Sequence, residues 1–118
     1  MIEDSYVSYE VLSLLDKKGF GGYYEDKGGP LPQSIAQRWL REMWGYHIKT
    51  NPEYKNNGKL AGWKWYIIYL PNGKLNNWSN GLTNSLIYPS YEEALEDAIK
   101  YILENGQIQL INAKIKDD

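Results

Sequence analysis

The side chains that most often bind metal ions or act as nucleophiles are nearly absent from this chain. It contains one histidine, His47, and no cysteine. Metal sites and acid–base centres need several ligands or titrating groups at one point, as a pattern such as H-E-x-x-H supplies. A lone histidine next to apolar Ile48, at the start of a predicted strand, is more typical of a partly buried structural residue. The sequence therefore predicts no metal site, no catalytic residue and no cofactor.

The densest polar group comprises Glu92, Glu93, Glu96 and Asp97. These acids lie near the start of a predicted helix, where negative charge is favourable, and we expect them to form a solvated face. The glycine-rich stretch "GFGGYYEDKGG" lacks the lysine–serine or lysine–threonine ending of a phosphate-binding loop. No serine occupies a nucleophile elbow. We therefore expect a protein that is not an enzyme.

The aromatic residues indicate a binding surface instead. The chain has eleven Tyr and five Trp but one Phe. Tyr and Trp are favoured where the edge of a ring meets water, a ligand or a partner. Tyr23, Tyr24 and Trp78 lie in predicted loops, where a core does not require them. With Arg41, on the exposed side of a predicted helix, they are our candidate anchors for a protein partner or a second copy of the chain.

Charge is distributed unevenly along the chain. Residues 32–74 carry seven basic and two acidic side chains, whereas the whole chain has a net charge of -2. Either the opposite charges cancel on folding, or the middle segment forms a basic face for an anionic partner. The rings of Trp63, Trp65 and Tyr69 lie in this segment and are expected to share a face with its cations Lys49, Lys64 and Arg41. Single-stranded nucleic acid stacked on these rings is therefore the alternative function. The acidic net charge favours the first interpretation.

Three amphipathic helices are predicted. Ser8 caps the first, and Gly19 follows its end. The second runs from near Pro32 to about Gly45, with Gln33 on its polar side together with Arg38 and Arg41. Its apolar stripe comprises Ile35, Ala36, Trp39, Leu40, Met43 and Trp44. Ser90 caps the third helix and Glu93 completes a capping box. The third stripe comprises Tyr91, Ala94, Leu95, Ala98, Ile99, Ile102 and Leu103.

Strands are predicted between the second and third helices. "YHIKTNPEY" is typical of a strand with Ile48 facing inward that ends at Pro52. "AGWKWYIIYL" is apolar on both faces and predicts a central strand. "PNGK" at 71–74 favours a hairpin turn with a partner strand from Lys74. The tail "QIQLINAKIKDD" could add a short edge strand.

These elements predict one α+β domain over residues 1–118, with a small antiparallel sheet of about three strands and helices mainly on one face. The order is α-α-β-β-β-α. From the second helix onward this is the order of a double-stranded-RNA-binding domain. However, Glu92 and Glu93 stand where such domains use lysines against phosphates. No signal peptide or membrane-spanning segment is evident, so we expect a cytoplasmic protein.

Four stretches in order resemble a known family: "VSYEVLSLLDKKGF", "PQSIAQRWLREMWGYHI", "WKWYIIY" and "YPSYEEALEDAIKYILE". The chain is similar to small phage and prophage proteins of Bacteroides-like gut bacteria, a family without an established activity. The resemblance covers most of residues 7–104, and "WLRE" and "SYEEAL" are its more specific parts. Pro32 stands where the family often has a capping threonine, and the tail beyond Gly106 is longer. The resemblance implies a phage accessory protein in a bacterial host cell and transfers no functional residue.

Overall fold

The computed structural model describes residues 5–20, 30–70 and 82–105 of the chain. Within these ranges it contains three helices and a two-stranded antiparallel sheet, so the protein is α+β. The elements are α1 (Tyr9–Lys17), α2 (Gln33–Trp44), β1 (Tyr46–Tyr54), β2 (Leu60–Tyr69) and α3 (Tyr91–Asn105). None of these helices is long and apolar enough to cross a membrane.

The helices begin and end at residues suited to those positions, as the sequence predicts. Ser8 Oγ accepts a hydrogen bond from the Val11 amide at 3.2 Å, which satisfies an amide at the start of α1. Ser90 Oγ accepts from the Glu93 amide at 3.1 Å at the start of α3. Gly45 ends α2 in the left-handed conformation, with φ at 79°, and β1 begins at the next residue.

A tight turn joins β1 to β2. The Lys55 amide donates to the Lys59 carbonyl at 2.8 Å, and the Gly58 amide donates to the Lys55 carbonyl at 2.9 Å. The prediction that Pro52 ends the first strand is wrong, because Pro52 lies within β1 opposite Trp63. A proline is tolerated there since β2 is the only strand that pairs with β1 in the described part of the chain.

The second edge of β2 also has backbone partners. Trp63 exchanges hydrogen bonds of 2.9 and 2.8 Å with Tyr88, and Ile67 exchanges bonds of 2.8 and 2.7 Å with Leu82. β2 is thus paired on both sides, as expected of a central position. These are isolated bridges rather than a continuous strand. The predicted turn at 71–74, the strand from Lys74 and the tail lie outside the described residues.

The core lies between the helices and one face of the hairpin. Trp39 on α2 is fully buried, and its ring packs edge-on against Phe20 with centroids 5.3 Å apart. Arg38 and Arg41 are exposed, so "RWLREMWGYH" is mainly a core helix that runs into β1, and its arginines point away from the buried Trp39. The other buried side chains of this core come from every helix and from both strands, with α3 contributing the most. They include Trp65, Ile67, Leu95, Ala98, Ile99, Ile102 and Leu103.

Three side chains depart from the predicted helical faces. Met43, in the last turn of α2, is 40% exposed. Tyr91, the first residue of α3, is 41% exposed. Its ring packs edge-on with that of Trp63, with centroids 5.8 Å apart. Gln33 is buried rather than solvated because its Nε2 donates to Glu92 O at 3.0 Å and to Glu96 Oε1 at 3.1 Å. Met43 and Tyr91 lie at helix ends, where a side chain can remain exposed. The buried amide of Gln33 requires hydrogen-bond partners, which Glu92 and Glu96 supply.

Candidate functional site

The hairpin has two faces of different composition. Side chains alternate along each strand, and Ile48 pairs with Ile67 on the face that packs against the core. The opposite face is called the outer face here. Its residues are His47, Lys49, Asn51 and Glu53 on β1, and Gly62, Lys64, Tyr66 and Ile68 on β2. None of them belongs to the core cluster of the described residues.

Two lysines and one ring lie at the centre of the outer face. Lys49 pairs directly with Tyr66, and Asn51 pairs with Lys64, so the two lysines are diagonal neighbours. Diagonal residues on one sheet face are about 7–8 Å apart, within reach of one anionic group. Neither lysine forms an ion pair with another residue of the described ranges. With respect to residues 5–20, 30–70 and 82–105, both cations are therefore available for an external carboxylate or phosphate.

Arg41 adds charge at the end of the outer face where β1 begins. Partial burial, and then the nearby positive charge of Arg41, hold the pKa of His47 below its ordinary value of 6.5. Both effects favour the neutral imidazole. The positive charge at this end comes from Arg41 and the lysines. Arg41 thus borders the outer face.

At the other end of the outer face, the apolar side chain of Ile87 lies against Gly62. A Cβ atom at Gly62 would clash with Ile87 Cγ2 and lie 2.6 Å from the Tyr88 carbonyl oxygen. The absence of a side chain at Gly62 lets Ile87 cover this position. Ile87 itself is 50% exposed. Lys64 lies two residues along β2 from Gly62, on the same face.

A polar cluster on the inner side fixes the segment that carries Ile87. Trp65 Nε1 donates to Asp97 Oδ2 at 3.0 Å, and the Tyr88 hydroxyl donates to the same carboxylate oxygen. Asn84 Nδ2 donates to the Tyr88 hydroxyl at 2.9 Å. Partial burial, and then the hydrogen bond to Asp97, raise the pKa of Tyr88 above its ordinary value. The cluster ties residues 82–88 to α3 through internal contacts, which is a structural role.

The prediction that the acids of α3 form a solvated face is wrong for two of them. Asp97 lies in the polar cluster just described. Glu96 accepts from the Ser8 amide at 2.8 Å and from Gln33 Nε2, which joins the starts of α1 and α2 to α3. Glu93 is exposed and belongs to the Ser90 cap. Glu96 and Asp97 lie beside the apolar stripe of α3. That location is the sequence signal that could have indicated their burial.

The structure separates the residues of the nucleic-acid hypothesis. Trp65 is 1% exposed in the core, and Trp63 and Tyr69 share its face. Lys49 and Lys64 lie on the opposite face, so the tryptophans and these lysines do not form one stacking platform. Arg41 is an exposed residue of α2. The other predicted anchors, Tyr23, Tyr24 and Trp78, lie outside the described residues.

No protein-family model, curated protein or solved structure matches this chain. Within residues 5–20, 30–70 and 82–105, no group of three or more His, Cys, Asp or Glu side chains is placed to hold a metal ion. The surface chemistry of the hairpin is therefore the basis for a functional proposal.

Proposed function

We propose that this chain is a non-catalytic interaction module that binds a protein partner through the outer face of the hairpin. The observation that carries the proposal is the pairing of Lys49 with Tyr66 on a face that contributes nothing to the described core. Tyrosine is enriched at protein interfaces, and a lysine beside it adds charge specificity. A module of this kind needs no catalytic group.

The proposal includes a cellular setting. The resemblance to phage and prophage proteins supports a phage accessory role in the cytoplasm of a bacterial host, where a host or phage protein is the partner. A second copy of this chain is the other candidate partner. The three-stranded order also remains a prediction, and the backbone bridges of Trp63 and Ile67 on the second edge of β2 support it.

Single-stranded nucleic acid is a second candidate because Lys49, Lys64 and Tyr66 share the outer face. Proteins that bind single-stranded nucleic acid combine a cationic groove with several aromatic rings on which the bases stack. Tyr66 is the only aromatic residue on the outer face as the described strands define it. We therefore rank nucleic acid below a protein partner.

Affinity capture from a host-type bacterial lysate, with and without nuclease, tests the proposal. The variant Tyr66→Ala/Ile68→Ala removes two half-buried side chains of the outer face, and Tyr9→Ala removes a ring that is 90% exposed on α1. We expect a stoichiometric protein that survives nuclease, is lost with the outer-face variant and is retained by Tyr9→Ala. Capture that vanishes with nuclease would favour nucleic acid. A captured protein that ignores the outer-face variant would contradict the proposed surface.

A further inference from the structure

We infer that the partner's binding segment is acidic and amphipathic, with carboxylates against Lys49 and Lys64 and an apolar side chain against Ile87. This inference rests on the proposed function and adds the chemistry of the partner. It follows from the order of charges and apolar groups along the outer face.

The two lysines determine the acidic part of the segment. They lie diagonally across the strand pair, with Tyr66 next to both. A carboxylate between them would receive two ammonium groups, and the Tyr66 hydroxyl could donate a further hydrogen bond. Arg41 extends the positive charge toward the start of β1. Successive acidic side chains of one segment could therefore each find a cation.

Ile87 determines the apolar part of the segment. Its side chain lies over Gly62 and remains half exposed, so a partner can still bury apolar area there. Glu53 pairs with Gly62 at the same end of the face. Because Glu53 would repel a carboxylate, this end favours an uncharged apolar side chain. The acidic residues of the partner are thereby directed toward Lys49 and Lys64.

Charge elsewhere in the chain favours a short acidic segment over a long polyanion. Residues 75–118 carry seven acidic and three basic side chains, and the chain as a whole is acidic. The net charge of -2 opposes the binding of a long polyanion, whose charge extends well beyond the two lysines. A protein segment that ends within the outer face avoids this repulsion.

Titration followed by amide chemical shifts on isotope-labelled protein tests the inference. The probes are a short peptide of leucines and glutamates, the same peptide with lysine for each glutamate, a leucine–serine peptide and oligothymidylate. We expect the acidic peptide to shift amides of residues 47–51, 53, 62–68 and 87, and to bind less tightly as salt is raised. The lysine and serine peptides should bind much more weakly.

Matched variants assign the effect to the outer face. Lys49→Glu/Lys64→Glu should weaken binding of the acidic peptide by about tenfold, since two exposed charge pairs are reversed. Lys17→Glu/Lys18→Glu makes the same charge change at the end of α1 and should leave binding unchanged. Ile87→Ser should weaken binding while the salt dependence persists. If the double glutamate variant does not fold, Lys49→Gln/Lys64→Gln supplies the same comparison.

Each other outcome overturns the inference in a distinguishable way. Equal binding of the acidic and serine peptides, or of the acidic and lysine peptides, would refute the acidic partner and leave the proposed protein-binding function standing. Failure of every peptide and of oligothymidylate to shift the outer face would refute the partner chemistry alone, because lysate capture tests the function separately. Binding of oligothymidylate at Lys49, Lys64 and Tyr66 without any peptide would refute both.

Discussion

The Tyr88 hydroxyl donates a hydrogen bond to the Asp97 carboxylate, which also accepts from the Trp65 indole. The carboxylate of Asp97 thus joins three parts of the chain: β2, residues 82–88 and α3. This contact holds the backbone that places Ile87 over Gly62, so the outer face depends on a cluster at the opposite side of the hairpin.

Asp97→Ala should destabilise the protein because the Tyr88 hydroxyl loses its acceptor and the Trp65 indole keeps only the Tyr88 oxygen, at 3.2 Å. We expect a loss of about 1–3 kcal/mol in the free energy of unfolding. Urea denaturation would measure it, with Glu104→Ala on the exposed side of the same helix as the control. Equal midpoints for the two variants would show that the cluster contributes no stability.

The raised pKa of Tyr88 predicts that the folded protein loses stability in alkaline solution. Its pKa is raised in the folded protein above the ordinary value of 10.0, so folding favours the neutral hydroxyl. The contribution is fully present below pH 10.0 and is lost as the pH rises through the folded pKa. Tyr88→Phe should flatten this part of the stability profile measured by denaturation across alkaline pH. A profile unchanged by the substitution would assign the alkaline loss to other groups.

Arg41→Gln should raise the pKa of His47 measured by NMR titration. The charge of Arg41 is the second cause of the low value, and partial burial is the first. The pKa should therefore rise and still remain below 6.5. Lys17→Gln, on α1, serves as the control for a general change in net charge. Identical titration curves for the wild type and Arg41→Gln would show that the guanidinium does not act on His47.

Gly62→Ala tests the close approach of Ile87. The added methyl group would lie 2.6 Å from the Tyr88 carbonyl oxygen, and a backbone atom cannot move aside cheaply. We expect a loss of about 1–3 kcal/mol in thermal or urea unfolding. Gly62 and Gly58 both have positive φ, at 155° and 85°, so both substitutions strain the backbone; Gly58 has open space around it and is the matched control. If Gly58→Ala costs as much as Gly62→Ala, the contact with Tyr88 is not the cause.

Trp39→Ala should cost about 3–5 kcal/mol, the range for truncating a fully buried large aromatic side chain. Chemical denaturation followed by circular dichroism measures the change. Tyr9→Ala, at a position that is 90% exposed, should be nearly neutral. A near-zero change in the free energy of unfolding for Trp39→Ala would contradict the assignment of "RWLREMWGYH" to the core.

Local signals were enough to predict much of the fold. The caps at Ser8 and Ser90, the glycine at position 45 and the three-and-four spacing of apolar residues defined the helices. These features act within a few residues, so a sequence displays them directly. The turn at 55–59 carries the Asn57–Gly58 pair, the same signal as at 72 and 73, and it could have been recognised in the same way.

The departures arise from partners that are distant in sequence. Gln33 is buried because Glu96 accepts from it, 63 positions away. Pro52 fits within β1 because β2 is the only strand paired with β1 among the described residues, which the sequence of β1 does not reveal. The basic segment appeared to combine Lys49 and Lys64 with Trp65, yet strand alternation placed them on opposite faces. Composition of a segment therefore could not locate the candidate surface, whereas the pairing register did.

The contact between the Ser8 amide and Glu96 spans 88 positions and links the first described helix to the last. During synthesis on the ribosome, α1 and α2 emerge before α3 exists, at a rate of about 5–20 residues each second. The apolar stripes of α1 and α2 are covered only after Leu95, Ile99 and Ile102 of α3 have been synthesised. Translation that stops before α3 would leave a nascent chain with its tryptophans uncovered, a natural target for chaperones and proteases.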